Sequence, residues 1–331
     1  MNKNIILLLV LICFISGIFL WSDIYLPPEP GSNKIVNFTV EKGQGAKEIS
    51  IKLKSEGLIK HSSIFRTYVL LRGLSKKLQA GQYELSPSIS MSNIVKKLSR
   101  GEIIKEKITI IEGWNLKNIA QYFQDNNISS QEEFLELAKK DFSQGLSVLS
   151  DKPKDLNLEG YLFPDTYEII PGTGAENIIK KMLNNLDQKI TLDLRQEIIQ
   201  QEKSIFEIIT MASLIEKEVR TLEDKKIVSG IFWKRIESNK PLESCATISY
   251  ILGVNKWIYS FDDTRIPSPY NTYLNQGLPL GPISNPGLDS ITAAIYPTET
   301  DYFYYLSAPD GRTIFSKTYK EHNAAKVKYL K

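Results

Sequence analysis

Three features of the 331-residue sequence predict an α+β protein carried on an N-terminal membrane helix. The first is an apolar run, Ile5 to Trp21, about long enough to cross a bilayer when its flanks are counted. The second is a small modular stretch from Ile35, where strand-like and helix-like segments alternate. The third is a change of character further on. From Glu133 the chain turns helical, and from residue 242 it becomes loop-rich with a few strand-like runs. The boundaries expected are 1–26 for the N-terminus and anchor, 27–34 for a linker, 35–104 for a small module, and 105–331 for a mixed domain.

Composition narrows the function classes. Hydrophobic residues make up 42% and the net charge is +3, a balance that argues against nucleic acid as a partner. Two cysteines, Cys13 and Cys245, cannot build a disulfide framework. The two histidines, His61 and His322, lie far apart and in no metal-ligand spacing, so neither a zinc site nor a Ser-His-Asp triad is expected. No cofactor is called for.

Lys3 precedes the apolar run and Asp23 follows it. The positive-inside rule then places the N-terminus in the cytoplasm and the rest of the chain outside. A cleaved signal peptide competes, but no small-x-small site is evident and Trp21 has the character of an interfacial anchor. No small residue precedes Cys13, as a lipoprotein site would require. An uncleaved anchor is the preferred reading, and it makes Cys245 a lone thiol outside the cell, expected to be buried.

PPEPGSN at 27–33 reads as linker. IVNFTV at 35–40 reads as a strand, Gly43 and Gly45 as a turn, and Ala46, Ile49 and Leu53 as a helix stopped at Gly57. A second helix runs from Ser62 or Ser63 through Leu71. QAGQYEL at 79–85 alternates as a strand does, and Ser90 caps a helix that stops at Gly101. Residues 38–59 weakly resemble residues 108–128, with Gly43 matching Gly113, Ile49 matching Ile119, and Leu53 matching Phe123. Either these are two strand-turn-helix units of one type, or the likeness is that of any short strand-turn-helix.

The helical middle comprises segments near EEFLELAKKDF, ENIIKKMLNNL and 189–203, then SIFEIITMASLIEKEVR at 204–220, then KKIVSGIFWKRI at 225–236. Ser204 with Glu207 forms a capping-box start. Ile205, Ile208, Ile209, Ala212, Ile215 and Val219 share one helical face, and Met211 and Leu214 make another side apolar. Two carboxylates, Glu216 and Glu218, end the helix. Apolar surroundings there would raise a carboxyl pKa and keep a proton for acid catalysis. Alternatively both are solvated as the helix leaves the core.

Three loops are dense in groups suited to sugars: LEGYLFPDTY at 158–167, SPYNTY at 268–273 and GLPLGPISNPG at 277–287. Aromatic faces stack on pyranose rings, and Asn, Thr and Asp hydrogen-bond hydroxyls. Glu159, Tyr161, Asp165, Tyr270, Asn271, Thr272, Tyr273, Pro279 and Asn285 are the candidate binding residues. Singly, each loop could be an ordinary Gly/Pro turn over a packed aromatic.

TMASLIEKEV at 210–219 resembles the signature of the endolytic murein transglycosylases, the YceG-like family. The three loops, DSITAAIYP, and DYFYYLSAPDGRTIFSKTYKEHN at 301–323 resemble that family's other motifs in the same order. The resemblance covers essentially the whole chain. It implies a single-pass protein of the bacterial cytoplasmic membrane, a LysM-like module before an extracytoplasmic catalytic domain, peptidoglycan strands as substrate, and cell-wall synthases as candidate partners. The implied reaction cuts the β-1,4 bond between N-acetylmuramic acid and N-acetylglucosamine within nascent strands without water, leaving 1,6-anhydromuramic ends. It also implies Glu218, the second acid of the E-K-E triplet, as the catalytic acid. Periodicity agrees only in part: Glu218 falls on the Glu207, Met211 and Leu214 face, and Glu216 nearer the Ile209 and Ala212 stripe. Where the family commonly carries Asp and Gln, this chain has Cys245 and Glu243. The alternatives are a non-catalytic peptidoglycan-binding scaffold and a hydrolase pairing Glu218 with Asp165 or Glu159.

Overall fold

The computed structural model describes residues 3–256 and 259–330. It is a mixed α and β structure with small two-stranded sheets, and it divides into two compact units. The first comprises residues 1–107 with the return segment 168–172, and the second 108–167 with 173–331.

In the first unit, α1 (Lys3–Tyr25) is an apolar helix of 23 residues, about 34 Å long at 1.5 Å per residue. Its apolar side chains are exposed from Ile5 to Trp21, and the helix is long and apolar enough to cross a membrane. Beyond it come β1 (Val36–Val40), α2 (Ala46–Ser55), α3 (Ser62–Leu71), β2 (Gly81–Leu85) and α4 (Met91–Arg100). β1 and β2 pair antiparallel, with Phe38 opposite Tyr83. Phe38, Ile49, Leu53, Phe65, Val69, Tyr83, Ile94 and Leu98 close one core. α4 follows its sequence signals: the Ser90 hydroxyl accepts from the Asn93 amide, and Gly101 ends the helix in the left-handed region that glycine adopts without strain.

β3 (Glu106–Thr109) pairs with β4 (Thr166–Ile169). Between them lie α5 (Leu116–Asp125) and α6 (Gln131–Leu137). Both of the segments compared above form strand-turn-helix units. Both β1–α2 and β3–α5 turn through a glycine with positive φ, Gly43 and Gly113, and both bury the matched residues Ile49 and Ile119, Leu53 and Phe123.

The second unit continues with α7 (Ala175–Lys189), α8 (Leu192–Gln200), α9 (Ile205–Glu218) and α10 (Leu222–Glu237). α9 starts at the Ser204–Glu207 capping box, and its residues from Ile208 to Ile215 are all buried. It packs against α8 and α10 and against two helices further along the chain. The region from 242 is not simply loop and strand. It contains α11 (Cys245–Leu252), α12 (Leu288–Ile295) and α13 (Tyr319–Tyr329) as well as the hairpin of β5 (Tyr304–Ser307) and β6 (Thr313–Ser316). α11 and α12 have 8 residues each, too short to be stable alone or to show a clear 3.6-residue stripe. Packing on α9 holds them, which local patterning does not reveal.

Candidate active site

The last turn of α9 directs three successive side chains to three different parts of the second unit, because each residue turns about 100° around the axis. Lys217 reaches the Gly113 carbonyl at 3.2 Å. Glu216 faces α10 and α12. Its side chain is 9% exposed, and Lys225 Nζ, 4% exposed, lies 3.3 Å from both carboxylate oxygens. Glu216 also accepts from the Gly287 amide at 3.0 Å and the Ser290 hydroxyl at 2.6 Å. All of its acceptor capacity is directed inward, so it is a structural anchor.

Glu218 faces the N-terminus of α11. It accepts hydrogen bonds from the Ser244 and Tyr305 hydroxyls and from the Ala246 amide. Burial raises its pKa above the ordinary carboxyl value, and the three donors oppose that rise. The solvated alternative for the acid pair does not hold.

Neither Ser244 nor Tyr305 was a sequence candidate. Ser244 caps α11 just before Cys245, and Tyr305 lies within the strand-like YFYYLSA run, so both sat in segments already noted for other reasons. Cys245 is exposed, contrary to the expectation of a buried thiol: it is the neighbouring Ser244 and Thr247 that pack inward at this end of α11. Its sulfur is 3.0 Å from the Tyr273 hydroxyl, and desolvation pushes the thiol pKa up. Glu243, 48% exposed, pairs with Arg235 at 3.1 Å.

The other candidates separate by position. Thr272 meets the α11 cap: its hydroxyl accepts from the Ser244 amide at 3.1 Å and lies 3.0 Å from the Thr247 hydroxyl. Tyr273 is half-buried beside Cys245. These two join the Glu218 neighbourhood. Asn271 is fully buried, its amide donating to the Thr264 and Ile266 carbonyls, so it shapes the loop from within. Asn285 is likewise buried: its side chain accepts from the Leu162 amide at 2.8 Å and donates to the Trp114 carbonyl at 2.9 Å. It stitches the 158–167 and 277–287 loops to the turn before α5. Gly160 lets those two loops meet, since a Cβ there would lie 2.4 Å from Pro282 Cβ. Tyr161 is wholly buried and Pro279 buried. Asp165 is exposed and accepts from Asn185 at 2.9 Å.

Glu159 forms a second acidic centre, 5% exposed. It accepts from the Leu116 amide at 3.0 Å and from the Tyr250 hydroxyl at 3.3 Å, and the Tyr250 ring lies 5.1 Å from that of Tyr270. Burial pushes its pKa up to about 8, against the hydrogen bonds that favour the anion. Tyr250 lies on α11, so this carboxyl supports the helix that carries Ser244 and Cys245.

Two outcomes are expected from these centres. Lys225→Met strands the Glu216 charge and should cost roughly 3 kcal/mol in chemical denaturation. The double substitution with Glu216→Gln should recover most of it, and a single variant as stable as wild type would contradict the anchoring role. Glu159 keeps its proton in the folded state until about pH 8 but loses it near pH 4.5 when unfolded. The folded state therefore binds more protons across that window, and stability falls as pH rises, by up to about 1.4 kcal/mol per pH unit. Thermal melts of Glu159→Gln from pH 5 to 9 should lack that slope.

Comparison with known proteins accords with the architecture and the motif order. The YceG-like family profile matches residues 38–328. An endolytic murein transglycosylase of Bacillus subtilis is 36% identical, over 96% of this chain and 91% of its own length. A Streptococcus pneumoniae protein of the same name is 32% identical over 91% of this chain, which spans 59% of that longer protein. A crystal structure of a yceG-like protein from Listeria monocytogenes superposes with a TM-score of 0.61 at 34% identity, covering 89% of this chain and all of the other. By profile, sequence and fold, this chain belongs to the YceG-like family.

Proposed function

We propose that the chain is a membrane-anchored endolytic murein transglycosylase in which Glu218 is the catalytic carboxyl. The observation that carries this reading is Glu218 at the end of α9, bonded by the Ser244 hydroxyl at the N-terminus of α11 beside Cys245 and Tyr273, with its pKa raised by burial. A hydrolase needs a second acid to act as nucleophile or to activate water. A lytic reaction does not, because the muramic C6 hydroxyl is the nucleophile. Glu218 gives its proton to the leaving glycosidic oxygen. Its carboxylate, stabilised by the three donors, then takes the C6 hydroxyl proton as that oxygen attacks C1. The half-buried Tyr273 and Tyr270 support sugar binding beside α11, while the buried Thr272, Asn271, Asn285 and Tyr161 shape the loops from within.

The name shared by the bacillary and streptococcal relatives supports the substrate assignment. The exposed apolar α1 supports a single-pass anchor, with the remainder on the extracytoplasmic side by the positive-inside rule. Residues 35–104 are read as a LysM-like glycan-binding module and 105–331 as the catalytic domain. Cell-wall synthases are the candidate protein partners.

Mass spectrometry of digested peptidoglycan should show anhydromuramic ends with the wild type and none with Glu218→Gln. Reducing muramic ends would mean that water attacked instead. Tyr305→Phe removes a donor to the Glu218 carboxylate, so the alkaline limb of kcat/KM should move to higher pH and the rate should drop about tenfold. An unmoved pH profile would take Tyr305 out of the proton balance.

A further inference from the structure

The end of α1 and the small module form one tightly joined piece. Ile24 packs into the module's core, and α1 lies against both α3 and α4. The buried Asp23 meets His61 Nδ1 at 2.9 Å, and the Phe19 ring lies 5.5 Å from the His61 ring. At the other end of α3, Arg72 comes near Tyr25 and stacks over Tyr68 at 5.6 Å. The following segment is strapped down, since the Glu29 amide donates to the Pro87 carbonyl at 3.0 Å. Both ends of α3 are thus tied to the Phe19–Tyr25 stretch. That stretch holds Trp21 and Tyr25, with ring centroids 6.1 Å apart, as an aromatic belt at the bilayer interface.

Two large apolar residues stand uncovered at the end of α3. Leu70 is 69% and Leu71 80% exposed. Leu71 adjoins Arg72 and lies three residues from Tyr68, on the side of α3 that meets Tyr25 and away from the buried Val69. Arg66, Arg72, Lys76 and Lys77 stand near them in sequence, Lys60 lies before the start of α3, and no Asp or Glu occurs between Gly57 and Tyr83. Among the described residues none of these five cations forms an ion pair. Exposed leucines flanked in sequence by cations without ion pairs, on a helix that packs against α1, match an acidic lipid surface, which takes apolar side chains between headgroups and cations onto phosphates.

We propose that Leu70 and Leu71, with Arg72, Lys76 and Lys77, seat the small module on the acidic headgroups of the bilayer in which α1 is embedded. This rests on the reading of α1 as a membrane anchor. The module is then a membrane-hugging foot at a fixed height, so the chain meets glycan strands close to the membrane.

The full chain in lipid nanodiscs tests this with a polarity-sensitive fluorophore on a single cysteine. In a Cys245→Ser background the label sits on native Cys13, within α1. In a Cys13→Ala, Cys245→Ser background it sits on Leu71→Cys. Discs contain phosphatidylglycerol with phosphatidylcholine, or phosphatidylcholine alone, each with a lipid-borne spin quencher, and aqueous iodide is the opposing quencher. The expected result is strong lipid quenching at Cys13 in both discs. At Leu71→Cys, lipid quenching should be comparable and iodide quenching weak in phosphatidylglycerol discs. Lipid quenching there should fall at least twofold in phosphatidylcholine, in Arg72→Gln/Lys76→Gln/Lys77→Gln, and in about 1 M salt, where the Debye length is about 3 Å. A Leu71→Cys label quenched by iodide and not by lipid, with Cys13 quenched by lipid, overturns the proposal and leaves the anchor standing. A Cys13 label open to iodide overturns both. A Leu71→Cys label shielded only after peptidoglycan fragments are added makes the patch a glycan surface and also overturns the proposal.

Discussion

Two carboxylates at the C-terminal end of a buried helix are the constraint on which the rest of the second unit depends. The helix dipole disfavours negative charge there, and burial removes the water that would solvate it. Each acid is met by the N-terminal end of another helix. Glu216 takes the Gly287 amide and the Ser290 hydroxyl of α12 together with Lys225 of α10. Glu218 takes the Ser244 hydroxyl and the Ala246 amide of α11. The dipoles that oppose the acids from α9 are thus answered by dipoles of the opposite sense.

The two acids then differ in kind. Glu216 has a buried cation and is held as part of the scaffold, fastening the 277–287 loop to α9 with help from Ser213, whose hydroxyl accepts from the Ile283 amide at 3.1 Å. Glu218 has only neutral donors, so burial leaves its pKa raised. A carboxyl that must first give and then take a proton is best served by neutral donors, since a fixed cation would hold it ionised throughout. The intervening Lys217, anchored on the Gly113 carbonyl, steadies the turn that aims them apart.

The sugar-suited loops turn out to have a division of labour. Asn285, Asn271 and Tyr161 face inward and use the same polar and aromatic character to fix loop shape. Tyr273 and Thr272 reach the α11 cap. Residue type alone does not separate the two uses, because an amide that binds a carbonyl across a loop and one that binds a sugar hydroxyl are the same group in different surroundings.

Local patterning was enough to place the apolar N-terminal helix, the capped helices of the small module, the two strand-turn-helix segments and α9 with its acids. Each is encoded within a window of neighbours by periodicity, a cap residue or a glycine with positive φ. α11 and α12 were not legible, since helices of 8 residues draw their stability from packing on α9. The partners of Glu216 and Glu218 were not legible either. Lys225 is only nine residues from Glu216, yet Ser290 and Tyr305 lie over seventy residues from the acids they serve. By itself the sequence determined which helix carries the acids and where it ends. Only the tertiary structure decided which acid is paired with a cation and which stays neutral-bound and titratable, because that choice is made by desolvation and by groups brought together from distant parts of the chain.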